Sequence, residues 1–299
     1  MHIFSIIIPH HDIPTLLQRC LDSIPEVPEV QVIVVDDNSS SQKVDFEHFP
    51  GLDRKNTLCI LDKEGGGAGH ARNIGLRNAD GKWIVFADAD DFFTKEAFQI
   101  LDSHKDEPYD ILLFKANSID SDDMSPSDRH LNLNNAIDDV QAGNMTVKEA
   151  ILSKPVPWCK MFRRNHIQQK NIWFDETMAA NDQMFVYKAT CWSRDDAVAV
   201  FDETLYTVTT RKGSLMDGRK KDPSNFLCRL EVQIRCNLFL KDYPQFRKEP
   251  IIILLARSRR FGIKTFLRAF WLVIRKGAVL SGFETFMTIV KNHIIRKHL

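Results

Sequence analysis

The sequence contains no uninterrupted apolar run long enough to span a bilayer, which takes about 20 residues, and no internal repeat or low-complexity tract. Its opening, Met1-His2-Ile3-Phe4-Ser5, lacks the basic segment and long apolar stretch of a secretory signal, so none is expected. The six cysteines (Cys20, Cys59, Cys159, Cys191, Cys228, Cys236) include no C-x-x-C pair and no regular framework. Reduced, mostly buried thiols in a cytoplasmic protein are the expectation. The histidines show no ligand spacing. Net charge is absent too, with 40 Lys and Arg against 40 Asp and Glu, and no nucleic-acid partner is expected.

That zero hides an asymmetry. Residues 251–299 carry ten Lys or Arg against one acid, Glu284, a balance of +9, and the first 250 residues carry the opposing −9. Such a split gives the tail a job or a partner of its own.

With 299 residues, 43% of them hydrophobic and 27% charged, the chain can bury a large core. Across the first 115 residues, apolar runs alternate with amphipathic segments. Ile3 to Ile8, Val30 to Val35, Thr57 to Leu61, Trp83 to Phe86 and Ile111 to Phe114 read as buried strands; Thr15 to Ile24, Ala68 to Asn78 and Lys95 to Leu101 have helical spacing. This alternation predicts an α/β fold, a mainly parallel Rossmann-like sheet flanked by helices. Such sheets bind ligands at the carboxyl ends of their strands. Three strand exits are polar, Pro9-His10-His11-Asp12, Asp36-Asp37-Asn38-Ser39-Ser40 and Asp88-Ala89-Asp90-Asp91, and they converge on one crevice.

The last of these exits puts three carboxylates within four positions after the apolar Ile84-Val85-Phe86. Acids this close repel one another unless a cation neutralises them. In a strand, Asp88 and Asp90 share a side, and an all-oxygen donor set suits Mg2+ or Mn2+. The competing account is an acidic turn capping the helix near Thr94 to Ala97.

Residues 116–145, rich in Asp, Asn and Ser, read as an irregular excursion. Order resumes with a short helix from Val147, the segment Val156 to Phe162, a helix near Asn181 to Cys191, an alternating stretch Val198 to Val208 and a helix over 222–242. In the tail, Ile263, Phe266, Leu267, Phe270, Trp271 and Ile274 share one helical face, with Lys264, Arg268 and Arg275 opposite; Phe283, Phe286, Met287, Val290 and Ile294 repeat the pattern. Both read as basic amphipathic helices.

Four ordered blocks, Ser5-Ile6-Ile7-Ile8-Pro9, Val34-Val35-Asp36-Asp37-Asn38-Ser39, Gly69-His70-Ala71-Arg72-Asn73-Ile74-Gly75 and Ala79 to Asp91, resemble family 2 glycosyltransferases of the GT-A fold. Later blocks, Pro157 to Arg164, Asn181 to Phe185 and Thr210 to Ser214, resemble bacterial members that build polysaccharide, lipopolysaccharide or capsule. The resemblance covers residues 3–215. It implies a catalytic domain over 1–215, with a nucleotide-sugar half at 1–115 and an acceptor half at 116–215, followed by a helical region at 216–299.

The resemblance also implies an inverting transfer of a hexosyl or N-acetylhexosaminyl group from a nucleotide diphosphate sugar, a UDP-sugar foremost. The acceptor would be a saccharide or lipid-linked hydroxyl. Asp37 matches the aspartate that accepts from uracil, with Pro9 and His11 beside it, although Pro9-His10-His11-Asp12 departs from the usual Pro-x-Tyr-Asn. Asp90 corresponds to the direct metal ligand and Asp88 to a ribose or metal contact, with Mn2+ or Mg2+ as cofactor. Arg72 and Arg211 fall where the diphosphate is held, Asp182 at the general base, and Trp158 and Lys160 on the acceptor side. Asn181 departs from the family's Glu-Asp pair.

Other roles compete for each residue: an Asx turn at Asp36 and Asp37, a salt bridge for Arg72, a helix cap at Asn181 and Asp182, a core position for Trp158. A nucleotidyltransferase or an inactive sugar-nucleotide binder are the rival functions. For the tail, docking on the inner face of an anionic membrane competes with packing on the catalytic domain or in a homodimer. The expected location is cytoplasmic, or peripheral on that membrane.

Overall fold

The structure, a computed structural model, describes residues 2–211, 222–246 and 248–276. The chain divides into two compact units, Met1–Thr177 with Asn181–Lys212 and Met178–Ala180 with Gly213–Leu299.

The first unit is built in the order β1 (Phe4–His10), α1 (Pro14–Asp22), β2 (Val30–Asp37), β3 (Thr57–Asp62), α2 (Gly67–Asn78), β4 (Trp83–Phe86), β5 (Phe92–Phe93), α3 (Ala97–Ser103), β6 (Ile111–Asp120), α4 (Leu131–Gln141), α5 (Val147–Ser153), β7 (Lys160–Arg163), α6 (Arg164–Gln169), α7 (Gln183–Trp192) and β8 (Val198–Thr210). The sheet order is β3-β2-β1-β4-β7-β6-β8-β5. Strands β1 to β4 run parallel. β7 enters antiparallel between β4 and β6, and β5 lies antiparallel on β8, so the sheet is mixed.

β1 is central and fully buried at Ile6, Ile7 and Ile8, which is why it reads as a continuous apolar run rather than an alternating one. A proline is awkward in a central strand. Pro9 is tolerated because Ile7, two residues back on the same edge, already takes the last bond from β4, its carbonyl accepting from Ala87 N–H at 3.1 Å. Beyond that point the edge faces the crevice. Helix α2 packs tightly over β1: a Cβ on Gly75 would lie 2.3 Å from Cγ2 of Ile7.

The expected irregular excursion is more ordered than its composition suggests. β6 continues to Asp120, and α4 occupies 131–141, burying Leu133, Ala136 and Ile137. Asn134, a poor helix former, earns its place through its amide. Its Oδ1 accepts from Ala116 N–H at 3.0 Å and its Nδ2 donates to Ala116 O at 2.8 Å, completing the β6 edge beyond the reach of β7. Helix α5 starts with a capping box between Thr146 and Glu149.

In the second unit, α8 (Pro223–Phe239) is capped by Asp222, whose carboxylate accepts from Ser224 N–H. With α9 (Ile251–Arg257) and α10 (Ile263–Arg275) it encloses a core of Leu230, Ile234, Ile251, Ala269 and Val273. The helix over 263–275 forms as its periodicity predicts. Its buried stripe is Thr265, Ala269 and Val273, while Ile263, Leu267, Phe270, Trp271 and Ile274 face outward. The second tail stripe, Phe283 to Ile294, lies outside the described residues, as do Lys212, Gly213 and Ser214.

Candidate active site

The parallel strands deliver their polar exits to one end of the sheet, where side chains tie each exit to the next. At the β1 and β2 exits, buried His10 and Asp36 pair at 2.7 Å through Nδ1 and Oδ1. His10 Nε2 accepts from Ile13 N–H, so the imidazole proton sits on Nδ1. Asp36 also accepts from the hydroxyl and N–H of Ser39. Burial opposes ionisation of Asp36, but the His10 and Ser39 hydrogen bonds outweigh it and hold the carboxyl below its usual range. Asp12, at a left-handed φ of 61°, accepts from Ser40 N–H and Lys43 and locks the same two turns together. Asp36 is thus the turn-former, which leaves Asp37 free for another partner.

That partner is the glycine-rich turn after β3. One oxygen of Asp37, Oδ1, accepts from Gly66 N–H at 2.7 Å and Gly67 N–H at 3.1 Å. These amides at the start of α2, where backbone N–H groups commonly hold a phosphate, are occupied here by a carboxylate of the protein. The Asp37 carbonyl accepts from exposed His11 at 2.8 Å. Pro9, His11 and Asp37 therefore cluster at one corner of the crevice.

The β4 exit forms the acidic centre. Asp88, Asp90 and Asp91 each offer a carboxylate oxygen within 4.8 Å of the others. Burial, then repulsion from Asp88, raises the carboxyl pKa of Asp90. Fully buried Asp91 is pushed well above its ordinary value by burial and by both neighbours. Its Oδ1 accepts from Thr209 N–H at 2.7 Å, whereas its Oδ2 is buried without a hydrogen-bond partner. Three converging carboxylates, one of them with an orphaned oxygen, and a pKa pattern of mutual repulsion fit a divalent cation.

Arginines surround this centre. Arg72 pairs with Asp88 at 2.6 Å and donates through its other terminal nitrogen to Asn181 Oδ1 at 3.0 Å. The expected phosphate ligand is thus engaged by an acid of the site, and its guanidinium spans from the acidic centre to the turn carrying Asp182. Arg211 Nε lies 3.9 Å from Asp90 Oδ2. Asp182 stands at the N-cap position of α7, but its side chain makes no capping bond. Gly69 allows this arrangement, since a Cβ there would meet Asp175 O at 2.1 Å and Asn181 Cβ at 3.0 Å.

The two residues expected on the acceptor side lie within the fold. Trp158 is buried and stacks on Tyr206, with ring centroids 6.1 Å apart. Lys160 is fully buried, and its ammonium donates to Val156 O at 2.7 Å. Burial lowers its pKa to about 8.

The family model of glycosyl transferase family 2 matches residues 5–179. The chain belongs to that family. This family 2 glycosyltransferase is 25% identical over 230 residues to the poly(ribitol-phosphate) beta-N-acetylglucosaminyltransferase TarS of Staphylococcus aureus, covering 75% of this chain and 38% of the relative. It is 27% identical over 234 residues to the poly(ribitol-phosphate) beta-glucosyltransferase of Bacillus spizizenii, covering 76% and 35%. The chain thus spans less than two fifths of the length of these relatives. Its fold is the GT-A type. The structure of S. aureus TarS 1–349 in complex with UDP-GlcNAc superposes with a TM-score of 0.61 at 25% identity, over 80% of this chain and 67% of that one. The mannosyltransferase PcManGT of Pyrobaculum calidifontis, in complex with GDP-Man and Mn2+, shares the fold with a TM-score of 0.55 at 15% identity, over 98% and 80%.

Several site residues of this glycosyltransferase were not singled out from its sequence. Arg19 donates to Asp90 O at 2.7 Å, and Thr209 donates there through its hydroxyl at 2.8 Å. The Tyr206 hydroxyl accepts from Asp88 N–H at 2.8 Å. The charge of Arg129 favours ionisation of Asp90 and Asp91. Only Asp91 carried a local signal, as the third acid of the β4 exit.

Proposed function

We propose that this chain is an inverting, metal-dependent glycosyltransferase. It moves a hexosyl or N-acetylhexosaminyl group from a UDP-sugar to a saccharide or lipid-linked acceptor in cell-surface polysaccharide synthesis. The observation that carries this is the Asp88-Asp90-Asp91 cluster, three carboxylate oxygens within 4.8 Å beside Arg72 and Arg211 at the strand exits. The UDP-GlcNAc complex of TarS and the GDP-Man and Mn2+ complex of PcManGT support the donor class and the ion. A cytoplasmic location, or a peripheral one on the inner membrane face, belongs to the same reading.

Asp90 and Asp88, with the orphaned oxygen of Asp91, would hold Mn2+ or Mg2+, whose charge offsets that of the leaving diphosphate. Asp37 accepts from the base, with Pro9 and His11 beside it, while Arg211 adds positive charge at the diphosphate. Asp182 takes the proton from the acceptor hydroxyl. The oxygen then forms its bond to the anomeric carbon as the bond to diphosphate oxygen breaks from the opposite face, inverting the centre, and the electron pair leaves with the nucleotide diphosphate. Trp158 and Lys160 shape the acceptor side from behind.

The test is nucleotide release from a panel of nucleotide sugars with Mn2+ or Mg2+, with and without chelator. Release from a UDP-sugar, lost in chelator and in Asp90→Asn while the unfolding midpoint is kept, is the expected result. Binding of the nucleotide sugar without any turnover would make the chain an inactive binder. Full turnover by Asp90→Asn in excess chelator would overturn the metal assignment.

A further inference from the structure

Helix α10 presents an apolar arc to solvent that the described residues of its own unit do not cover. Ile263 is 68% exposed, Leu267 56%, Trp271 58% and Ile274 50%, with Phe270 beside them. At 3.6 residues per turn these five positions fall within an arc about 100° wide. Burying that arc would have been the ordinary outcome for an amphipathic helix. Instead the small residues Thr265 and Ala269 let the opposite side approach α8. Leu267, Trp271 and Leu272 also line an open groove of about 610 Å3 against Leu227, Cys228 and Glu231 of α8, so the apolar surface extends sideways beyond the helix.

The charge beside this arc is one-sided. Lys264, Arg268 and Arg275, expected opposite the arc, form the strip next to it because the opposite side is the buried one; all three are exposed, and no carboxylate among the described residues pairs with them. From Ile251 to Lys276 the chain has seven Lys or Arg and no Asp or Glu. Arg275 lies over the Trp271 ring, 4.9 Å from its centroid, holding a cation at the edge of the apolar arc. An arc of Ile, Leu, Phe and Trp bordered by cations matches the division of a bilayer interface, with acyl chains below and anionic headgroups at the rim. A protein partner would need a carboxylate row spaced to this strip, and a second copy would bring the same cations into opposition.

We propose that α10 is a docking surface for an anionic lipid bilayer. It lies in the interface plane with Leu267, Phe270, Trp271 and Ile274 inserted and Lys264, Arg268 and Arg275 among the headgroups. This goes beyond the donor-site chemistry and does not depend on it. Each cation near such a surface strengthens binding about fivefold at low salt, so the three together give on the order of a hundredfold preference for anionic over neutral vesicles.

The test is co-sedimentation of the full chain with vesicles of phosphatidylcholine alone or mixed with phosphatidylglycerol, at low and high salt. Binding only to the mixed vesicles, weakened by salt, is expected. Leu267→Asp with Trp271→Asp should lower it at least tenfold, and neutralising Lys264, Arg268 and Arg275 to Gln should abolish the lipid preference. Both variants change exposed side chains, so unfolding midpoint and nucleotide-sugar turnover in solution should match the parent. Failure of the parent to bind mixed vesicles, or parental binding by the double variant, overturns the proposal. So does a dimer of the parent that the same substitutions dissociate, which would assign the face to a second copy. None of these outcomes bears on the donor site, whose own test is metal-dependent nucleotide release.

Discussion

Arg72 and Asp88 form a 2.6 Å ion pair, and the same guanidinium reaches Asn181 at 3.0 Å, one residue before Asp182. A single buried side chain therefore links the acid at the β4 exit to the turn that carries Asp182, the proposed base. The bridge needs a planar fork with two separated donors, which lysine lacks. Arg72→Lys should therefore fall nearly as far as Arg72→Ala, each losing about tenfold to a hundredfold in kcat/KM, the range for one charge-assisted hydrogen bond. Steady-state kinetics on both variants checks this; a lysine variant at parental activity would reduce Arg72 to a simple positive charge.

Asp182→Asn should bind the donor nucleotide as the parent does and slow transfer by roughly a hundredfold or more, the range for loss of a general base. The amide keeps the size of the side chain while removing its basicity. Calorimetry with the nucleotide, set beside the transfer rate, separates the outcomes. If affinity collapses together with rate, Asp182 holds the nucleotide or the turn instead.

Lys160 gives the fold a pH dependence at alkaline values. Its folded pKa of about 8 lies below the 10.5 of the free side chain because burial penalises the ammonium. Between those values the unfolded chain binds the extra proton, so this group's stabilising contribution is fully present above pH 10.5 and lost as pH falls through about 8. The gain on going upward is on the order of 3 kcal/mol. Denaturant unfolding across this range should show it in the parent and not in Lys160→Met. Parallel profiles for the two proteins would mean that the amine stays charged in the fold.

The strand exits were legible because their chemistry is local. An apolar run that stops at Asp88-Ala89-Asp90-Asp91 announces both a strand and a charged end within eight residues, and Asp36 to Ser39 does the same for β2. Tyr206 and Thr209 were not legible, because they act on the β4 exit from 118 or more positions away. Only the pairing of β5 on β8 and of β8 on β6 brings them there, and nothing in their own neighbourhood encodes it. Helix α4 was hidden for a different reason: its Asn and Asp residues are weak helix formers, and packing of Leu133 and Ile137 overrides them. In α10 the period and the apolar arc were legible, and the small residues that make its packed side were not. Periodicity measures how apolar an arc is, whereas contact with α8 was decided by how small it is.

The Gly66 and Gly67 amides hold one oxygen of Asp37, and the other has no hydrogen-bond partner among the described residues. The carboxylate is therefore clamped in a single orientation with one acceptor presented outward. A flexible aspartate would surrender rotamer freedom on capturing a ligand, a loss of about 0.5 to 1.5 kcal/mol for a mobile side chain. In the proposed role of Asp37 as acceptor from the base, that ordering is already complete on folding, and the loop after β3 would influence recognition without touching what is recognised. On that proposal, selectivity at this corner becomes a matter of backbone geometry in the β3–α2 turn, and a rival ligand would be refused by direction as much as by distance.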